Sequence, residues 1–210
     1  GKKVRTLKKE DLVTMTIRRG CGICAPCLHE QSDMCMTGLF TERGLHKLDG
    51  FLTEYVVDEE KYMLKLPKGL EKYGIFVEPL SIAEKGIEQI RQIQSRMPWA
   101  CKHPNHSFDS KNWGSCKTAF VIGAGPLGIL ATCLLRLAGV DTYVLERKEE
   151  DHIKIKTIKK LGAKYIDIRK VSIKEAFEIA GDVHIIFEAS GASEFAINII
   201  PHMSRSSIYV

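Results

Sequence analysis

Phe120-Val121-Ile122-Gly123-Ala124-Gly125-Pro126-Leu127-Gly128 is a glycine-rich turn that follows an apolar stretch and opens an apolar helix. In a dinucleotide-binding turn the first glycine makes the bend and the second lets the backbone approach the pyrophosphate. The third glycine lets helix and strand pack closely, and the helix N-terminus faces the phosphates. The glycine pattern alone is weak, but its strand–turn–helix context predicts a nucleotide site formed by Gly123, Gly125, Pro126, Leu127 and Gly128.

An acidic residue ends the next apolar stretch. Glu146 lies about 20 residues beyond the turn, where a carboxylate binds the hydroxyls of the adenosine ribose. Arg147 and Lys148 follow at once, and their positive charges suit the 2′-phosphate of NADP. These residues indicate NAD, with NADP also open. The alternative interpretation is a solvated loop after a strand.

Strands and helices alternate outward from this turn. Strands are predicted at 117–122, 141–145, 165–168, 183–188 and 207–210, with helices at 126–137, 153–161, 173–180 and 193–200. Apolar strands that alternate with helices predict a parallel sheet covered on both faces. We therefore predict an α/β fold in which residues 81–210 form a Rossmann domain, a doubly wound parallel sheet that binds NAD or NADP.

Residues 1–80 have a different pattern, with short apolar runs and many turn residues. Strands are predicted at 12–17, 51–57 and 63–66. A helix is predicted from near Pro79 to before Pro98, because prolines just inside the start and just beyond the end are typical of helices. The first region is thus expected to be mostly β-structure with irregular loops.

A polar linker is predicted at 99–116. His103 and His106 lie in it near Cys101, and we interpret them as part of a solvated loop in preference to a metal site. Cys101, Cys116 and Cys133 show no metal-ligand spacing and are interpreted as structural or incidental. His184, in an apolar strand, is expected to be a core histidine with a hydrogen-bond partner.

Four cysteines lie within fifteen residues: Cys21, Cys24, Cys27 and Cys35, with the spacing C-x2-C-x2-C-x7-C. Four thiolates can surround one Zn²⁺ tetrahedrally at Zn–S distances of about 2.3 Å. A shell closed by four cysteines has no open position, so this zinc is predicted to be structural. Disulfides, free thiols and an iron–sulfur cluster are the alternatives.

Composition limits the class of protein. The net charge of +5 is spread along the chain among acidic residues, which indicates a solvated surface in preference to a nucleic-acid footprint. No stretch approaches the ~20 apolar residues of a membrane span, and no signal peptide is expected. An odd count of seven cysteines suits a reducing compartment, so a cytoplasmic protein is expected. The chain opens on Gly1 and stops in a predicted strand, so we expect a fragment with both ends missing.

Taken together, the cysteine lobe and the nucleotide-binding fold resemble the zinc-containing medium-chain alcohol dehydrogenases. Within them, the archaeal-type glucose 1-dehydrogenases are most similar. The matching stretches are 18–24, 44–51 with Glu54, 78–80 with Glu84 and Lys85, 123–128 and 188–191. They follow one another in the order of the family and extend over nearly the whole chain. The resemblance implies that residues 1–80 are part of a GroES-like catalytic domain.

The resemblance also implies roles for further residues. Glu78 matches one ligand of a second, catalytic zinc, whose Cys and His ligands would precede Gly1. Glu54 matches an acidic residue that contacts a sugar. The loop Ala189, Ser190 and Gly191 matches the loop beside the nicotinamide. On the residues alone, Glu78 is a carboxylate at a helix start, favoured by the helix dipole, and Glu54 is a surface residue.

The implied activity is that of a zinc-dependent oxidoreductase. It would transfer hydride from the C1 hydroxyl of an aldose, glucose, to NAD or NADP and produce the lactone, with zinc as the Lewis acid. Ile17 and Ile82 stand where some members carry Asn and Asp, and isoleucine cannot hydrogen-bond a sugar hydroxyl. The alternatives are a dehydrogenase of another polyol or secondary alcohol, and a non-catalytic zinc- and nucleotide-binding relative. A homo-oligomer, dimer or tetramer, is expected.

Overall fold

A computed structural model describes residues 1, 4–97, 101 and 106–210, without the side chain of Ser193. The chain separates into two compact units, Gly1–Val77 and Glu78–Val210. No helix within the described residues combines the length and the apolar character needed to cross a membrane.

The second unit is built on a five-stranded parallel sheet. Its strands along the chain are β6 (Thr118–Ile122), β7 (Asp141–Glu146), β8 (Lys164–Asp167), β9 (Ile185–Glu188) and β10 (Ile208–Tyr209). Their order in the sheet is β10-β9-β6-β7-β8. The chain runs outward from β6 to β8 and then returns to the other side of β6, as in the first five strands of a Rossmann fold. The predicted doubly wound sheet is confirmed.

Helices precede and connect these strands. They are α2 (Val77–Ser95), α3 (Pro126–Leu137), α4 (Ile153–Lys160), α5 (Ile173–Ala180) and α6 (Ser193–Ile199). Local sequence explains several of their ends. Pro126 occupies the first turn of α3, where its missing N–H costs nothing. Ser172 and Glu175 form a reciprocal capping box at the start of α5.

Alternate residues of each strand face opposite sides of the sheet. In β6, Ala119 and Val121 pack into one apolar cluster, while Phe120 and Ile122 pack into another. Residues of α2, α3 and α4 complete the first cluster, and residues of α5 and α6 complete the second. Because both faces are buried, the strands appear in the sequence as nearly continuous apolar runs.

The first unit contains short strands. β1 (Val13–Met15) and β5 (Met63–Lys65) lie where the sequence predicted strands, and they pair antiparallel. A separate three-stranded sheet, which the sequence did not predict, consists of β2 (Arg18–Arg19), β3 (Thr41–Arg43) and β4 (Lys47–Leu48). A short helix, α1 (Ala25–Leu28), lies between β2 and β3.

The strand predicted at 51–57 is wrong, because these residues form bends and irregular backbone. The Thr53 N–H donates to the Phe51 carbonyl in a tight local turn. The Val57 carbonyl accepts from the Arg43 guanidinium, where a ladder partner would otherwise bond it. Strand-forming residues make a strand only where a neighbouring strand takes the backbone groups.

An ion cluster holds the first unit together. Asp58 Oδ2 lies 2.6 Å from Arg19 Nη2 and 2.8 Å from Arg43 Nε, and the three side chains are almost buried. Burial alone would raise the pKa of Asp58, but the Arg19 guanidinium, the Glu59 amide and the Arg43 guanidinium outweigh it and lower this pKa to about 2. The cluster therefore ties β2 and β3 to the segment at Asp58.

Candidate functional site

The glycine-rich turn has the backbone geometry of a nucleotide-binding turn. Gly123 adopts a φ of +94°, which favours glycine. A Cβ on Gly128 would lie 2.1 Å from the Gly123 carbonyl oxygen, so α3 packs against the turn more closely than any side chain allows. A Cβ on Gly125 would instead meet nothing nearer than the Ala189 carbonyl oxygen at 3.9 Å. The backbone at Gly125 is therefore open to a ligand.

A cavity of about 320 Å³ lies at this turn, at the carboxyl ends of β6, β7 and β9. This edge, where the strand order reverses, is where doubly wound folds bind nucleotides. Of the residues predicted from the sequence, those that line it are Gly123, Gly125, Glu146, Arg147, Ala189 and Ser190. The structure therefore gathers the turn, the acidic residue and the loop after β9 around one cavity.

Glu146 is fixed at the end of β7. Its Oε2 accepts from the Ala124 N–H at 2.9 Å and its Oε1 from the Arg147 N–H at 2.7 Å. A carboxylate offers about four acceptor positions, so Glu146 can still accept hydrogen bonds from a ribose diol. The bond from Ala124 also ties β7 to the glycine turn.

Five predicted residues do not line this cavity. Pro126, Leu127 and Gly128 form the first turn of α3. Lys148 is exposed, and its carbonyl accepts from the Tyr165 hydroxyl. Gly191 lines a neighbouring cavity together with Arg147.

Sequence reasoning missed several lining residues, among them Lys154, Ile168 and Phe195. Lys154 lies in the first turn of α4. Its position shortly after Glu146, at the start of the following helix, is a signal that the sequence does contain. With Arg147, it supplies a second cation beside the Glu146 carboxylate. The cavity can thus hold either a ribose hydroxyl or an added phosphate.

The loop after β9 is held by one carboxylate. Glu188 Oε1 accepts from the Ser190 N–H at 2.7 Å, the Ser190 hydroxyl at 2.6 Å and the Gly191 N–H at 3.1 Å. A Cβ on Gly123 would lie 3.0 Å from the Ser190 Cα, so this loop packs directly on the glycine turn. The two segments form one rigid edge of the cavity.

The four clustered cysteines also come together. Cys21 Sγ lies 3.4 Å from Cys24 Sγ, which lies 4.0 Å from Cys35 Sγ, and all four sulfurs lie within 4.8 Å of one another. The Thr37 hydroxyl lowers the pKa of Cys35 to about 5 and that of Cys21 to about 7, whereas burial raises the pKa of Cys27 to about 12. The geometry fits one tetrahedral zinc ion.

The two carboxylates that the resemblance assigns to catalysis lie in different units. Glu54 lies in the irregular segment after β4 and is exposed within the first unit. Glu78 lies in the first turn of α2, also exposed, at the start of the second unit. Their assigned roles stay predictions.

The structure also places the histidines and cysteines that the sequence analysis interpreted singly. His184 Nδ1 accepts from the Thr118 N–H at 3.1 Å, so the predicted hydrogen-bond partner is confirmed. The residue is only partly buried and lies just before β9 instead of within a core strand. His106, which the sequence placed in a solvated loop, lies beside Cys101 and Cys116, which were interpreted as structural or incidental. Their ligand atoms lie within 4.8 Å of one another and all three residues are partly buried. His103 lies outside the described residues.

Comparisons with known proteins agree with this geometry. The family described as "Glucose dehydrogenase C-terminus" matches residues 71–210, and the "Alcohol dehydrogenase GroES-like domain" matches residues 1–68. A glucose 1-dehydrogenase of Methanocella arvoryzae is 35% identical over 201 residues, which is 95% of this chain and 52% of the relative. Glucose 1-dehydrogenase 1 of Picrophilus torridus is 32% identical over 206 residues, with 98% and 54% covered.

Solved structures give the same result. The crystal structure of glucose dehydrogenase from Haloferax mediterranei has a TM-score of 0.78 at 27% identity and covers 97% of this chain and 55% of that chain. Another structure of that enzyme, with the same TM-score and identity, is a complex with NADP, Zn and gluconolactone. This chain spans about half the length of the curated relatives it matches. With its cysteine lobe and its Rossmann sheet, it belongs to the glucose dehydrogenase family of the zinc-containing medium-chain alcohol dehydrogenases.

Proposed function

We propose that the complete protein is a zinc-dependent oxidoreductase that transfers hydride from the C1 hydroxyl of an aldose, glucose, to NAD or NADP and forms the lactone. One observation carries the proposal. In a member of this family, the glycine turn, Glu146 and the loop after β9 enclose one cavity at the carboxyl edge of the sheet. A cavity at this edge has the position and the lining of a dinucleotide site.

The residues of the cavity have distinct tasks in this proposal. Gly125 leaves room for the pyrophosphate, and the N-terminus of α3 supplies free N–H groups for its oxygens. Glu146 accepts from the ribose hydroxyls. Arg147 and Lys154 offer positive charge for a 2′-phosphate, so both nucleotides are used. Ser190, held by Glu188, positions the loop against the nicotinamide.

When bound, the nicotinamide accepts the hydride and the catalytic zinc polarises the C1 hydroxyl. Glu78 is proposed as one ligand of that zinc, and Glu54 as the acceptor of a sugar hydroxyl. The four-cysteine lobe binds a separate zinc that has no open position for substrate. The Haloferax mediterranei enzyme, whose complex holds NADP, Zn and gluconolactone, supports this combination of ligands.

A second candidate is the oxidation of another polyol or secondary alcohol by the same chemistry. It is favoured by Ile17 and Ile82, which cannot hydrogen-bond a sugar at positions where some glucose dehydrogenases carry Asn and Asp. Ile82 is 53% exposed, so about half of its side chain is open to solvent. A substrate with fewer hydroxyls would tolerate these isoleucines better.

The test uses the complete protein with a panel of aldoses, polyols and secondary alcohols, each with NAD and NADP. We expect glucose or a closely related aldose to be oxidised to a lactone, and activity to be lost on chelation and restored by zinc. Glu78→Ala should abolish turnover and lower the zinc content, while the exposed Glu178→Ala serves as its control. Glu54→Ala should raise KM for the sugar at unchanged zinc content, with the exposed Glu59→Ala as control.

Two outcomes would contradict the proposal. Turnover that persists with chelators would contradict the role of zinc. Activity on alcohols and not on aldoses would favour the second candidate.

We also propose residues 1–80 and 81–210 as the two domains, a cytoplasmic location, and a dimer or tetramer of the complete protein. Sedimentation of the complete protein measures the oligomeric state.

A further inference from the structure

A second cluster of metal-ligating side chains lies far along the chain from the four-cysteine lobe. It consists of Cys101, His106 and Cys116, between α2 and β6. Cys101 Sγ lies 3.7 Å from Cys116 Sγ, and Cys116 Sγ lies 3.7 Å from His106 Nδ1. All three ligand atoms lie within 4.8 Å of one another.

These separations are those of ligands on one metal ion. A tetrahedral zinc with Zn–S bonds of about 2.3 Å and Zn–N bonds of about 2.0 Å places two sulfurs about 3.8 Å apart, and sulfur and nitrogen about 3.5 Å apart. The sulfurs of the four-cysteine lobe lie 3.4 and 4.0 Å apart, on either side of the Cys101–Cys116 separation. In a disulfide the two sulfurs would lie only about 2.05 Å apart.

The ligands are held by well-packed surroundings. The His106 ring packs edge-on against Phe108 with 4.3 Å between centroids. The Phe108 carbonyl accepts from the Arg91 guanidinium of α2 at 2.9 Å. Cys101 packs against the apolar core of the sheet. Side chains fixed in this way bind a metal without a large loss of conformational entropy.

The backbone before Cys116 is fixed as well. The Gly114 N–H donates to the Ala138 carbonyl at 2.8 Å. A Cβ on Gly114 would lie 2.2 Å from a methyl of Val140, so the segment presses directly on the loop that leads into β7. Cys116 therefore has a defined position two residues before β6 begins.

We propose that Cys101, His106 and Cys116 bind one zinc ion at the amino edge of the parallel sheet. Two thiolates and one neutral imidazole balance the charge of Zn²⁺, and water completes the tetrahedron. Gly123 and the nucleotide cavity lie at the other end of β6, so this ion lies away from the nucleotide site. It joins the segment after α2 to the first strand of the sheet.

The first experiment needs no variant. The complete protein is alkylated under native conditions with and without a zinc chelator, and each modified cysteine is located by mass spectrometry. Cys101 and Cys116 should be protected until the chelator is added. Cys133, on α3 and outside both clusters, should react equally in the two conditions. Equal reactivity of Cys101 and Cys116 with and without chelator would overturn the proposal, as would a Cys101–Cys116 disulfide in the isolated protein.

Variants then separate this ion from the others. Cys116→Ser and His106→Gln should each lower the zinc content by about one equivalent per chain, and Cys133→Ser should leave it unchanged. Nucleotide affinity should stay at the wild-type value in all three variants. Unchanged zinc content in folded Cys116→Ser would refute the site. If this variant does not fold, the alkylation of the wild-type protein decides.

Discussion

Replacing Gly125 by Ala should separate nucleotide binding from stability. The added Cβ meets no atom nearer than 3.9 Å, and the backbone φ of −72° is one that alanine adopts freely. The free energy of unfolding should therefore change by less than about 1 kcal/mol. The methyl group enters the space through which a pyrophosphate approaches the backbone, and overpacking of this kind costs about 1–3 kcal/mol. The Kd for NAD and NADP should rise by about 5- to 150-fold.

Gly128→Ala is the matched control, three residues further on. Its Cβ would lie 2.1 Å from the Gly123 carbonyl oxygen, so α3 must move away from the turn. We expect a loss of about 3 kcal/mol in unfolding free energy, or a Tm about 6–12 °C lower. Titration calorimetry and thermal unfolding of the complete protein measure both quantities. Wild-type nucleotide affinity in Gly125→Ala, or a Tm as low as that of Gly128→Ala, would refute the reasoning.

Three further predictions concern charge and metal. The pKa of Asp58 in the folded chain is about 2, below its value of about 3.9 when unfolded, so its ion pairs with Arg19 and Arg43 stabilise fully above pH ~4. The free energy of unfolding should fall by about 2 kcal/mol as pH falls towards 2. Urea unfolding across this range should show a smaller fall in Asp58→Asn, and equal falls in both proteins would contradict the role of Asp58. Glu146→Ala should shift the kcat/KM ratio towards NADP by about tenfold, because one charge that repels the 2′-phosphate is gone; an unchanged ratio would remove its assigned role. Cys24→Ser should release the zinc of the lobe without changing nucleotide Kd, and elemental analysis that finds iron in place of zinc would contradict the site.

The sequence predicts the second unit well because its signals are local. Both faces of the sheet are buried, so the central strands β6 and β9 are largely apolar, and Pro126 and Ser172 mark helix starts. The first unit is harder to predict from local sequence. β2 and β3 contain Arg18, Arg19 and Arg43, and their association depends on ion pairs with distant carboxylates, which no periodicity shows. The segment at 51–57 is rich in strand-forming residues, but no strand pairs with it among the described residues.

The candidate site likewise contains residues that the sequence predicts and residues that it does not. Gly123, Gly125 and Glu146 could be predicted because the turn and the end of the next strand have fixed spacing in this fold. Ile168 and Phe195 reach the cavity from later elements, and only tertiary structure brings them there. The second cysteine cluster was missed for a related reason. Cys101 and Cys116 are too far apart in sequence to form a recognisable ligand motif, and a fixed backbone brings them to 3.7 Å.

The four-cysteine lobe has a consequence for how the protein is made. All its ligands come from one short stretch, Cys21 to Cys35, which lies in the first unit and precedes the Rossmann sheet in the sequence. Closing so small a loop costs little entropy. The lobe can therefore capture its ion as soon as this stretch leaves the ribosome, before β6 has been synthesised. In cells starved of zinc, chains should therefore fail to fold at this lobe while they are still being synthesised.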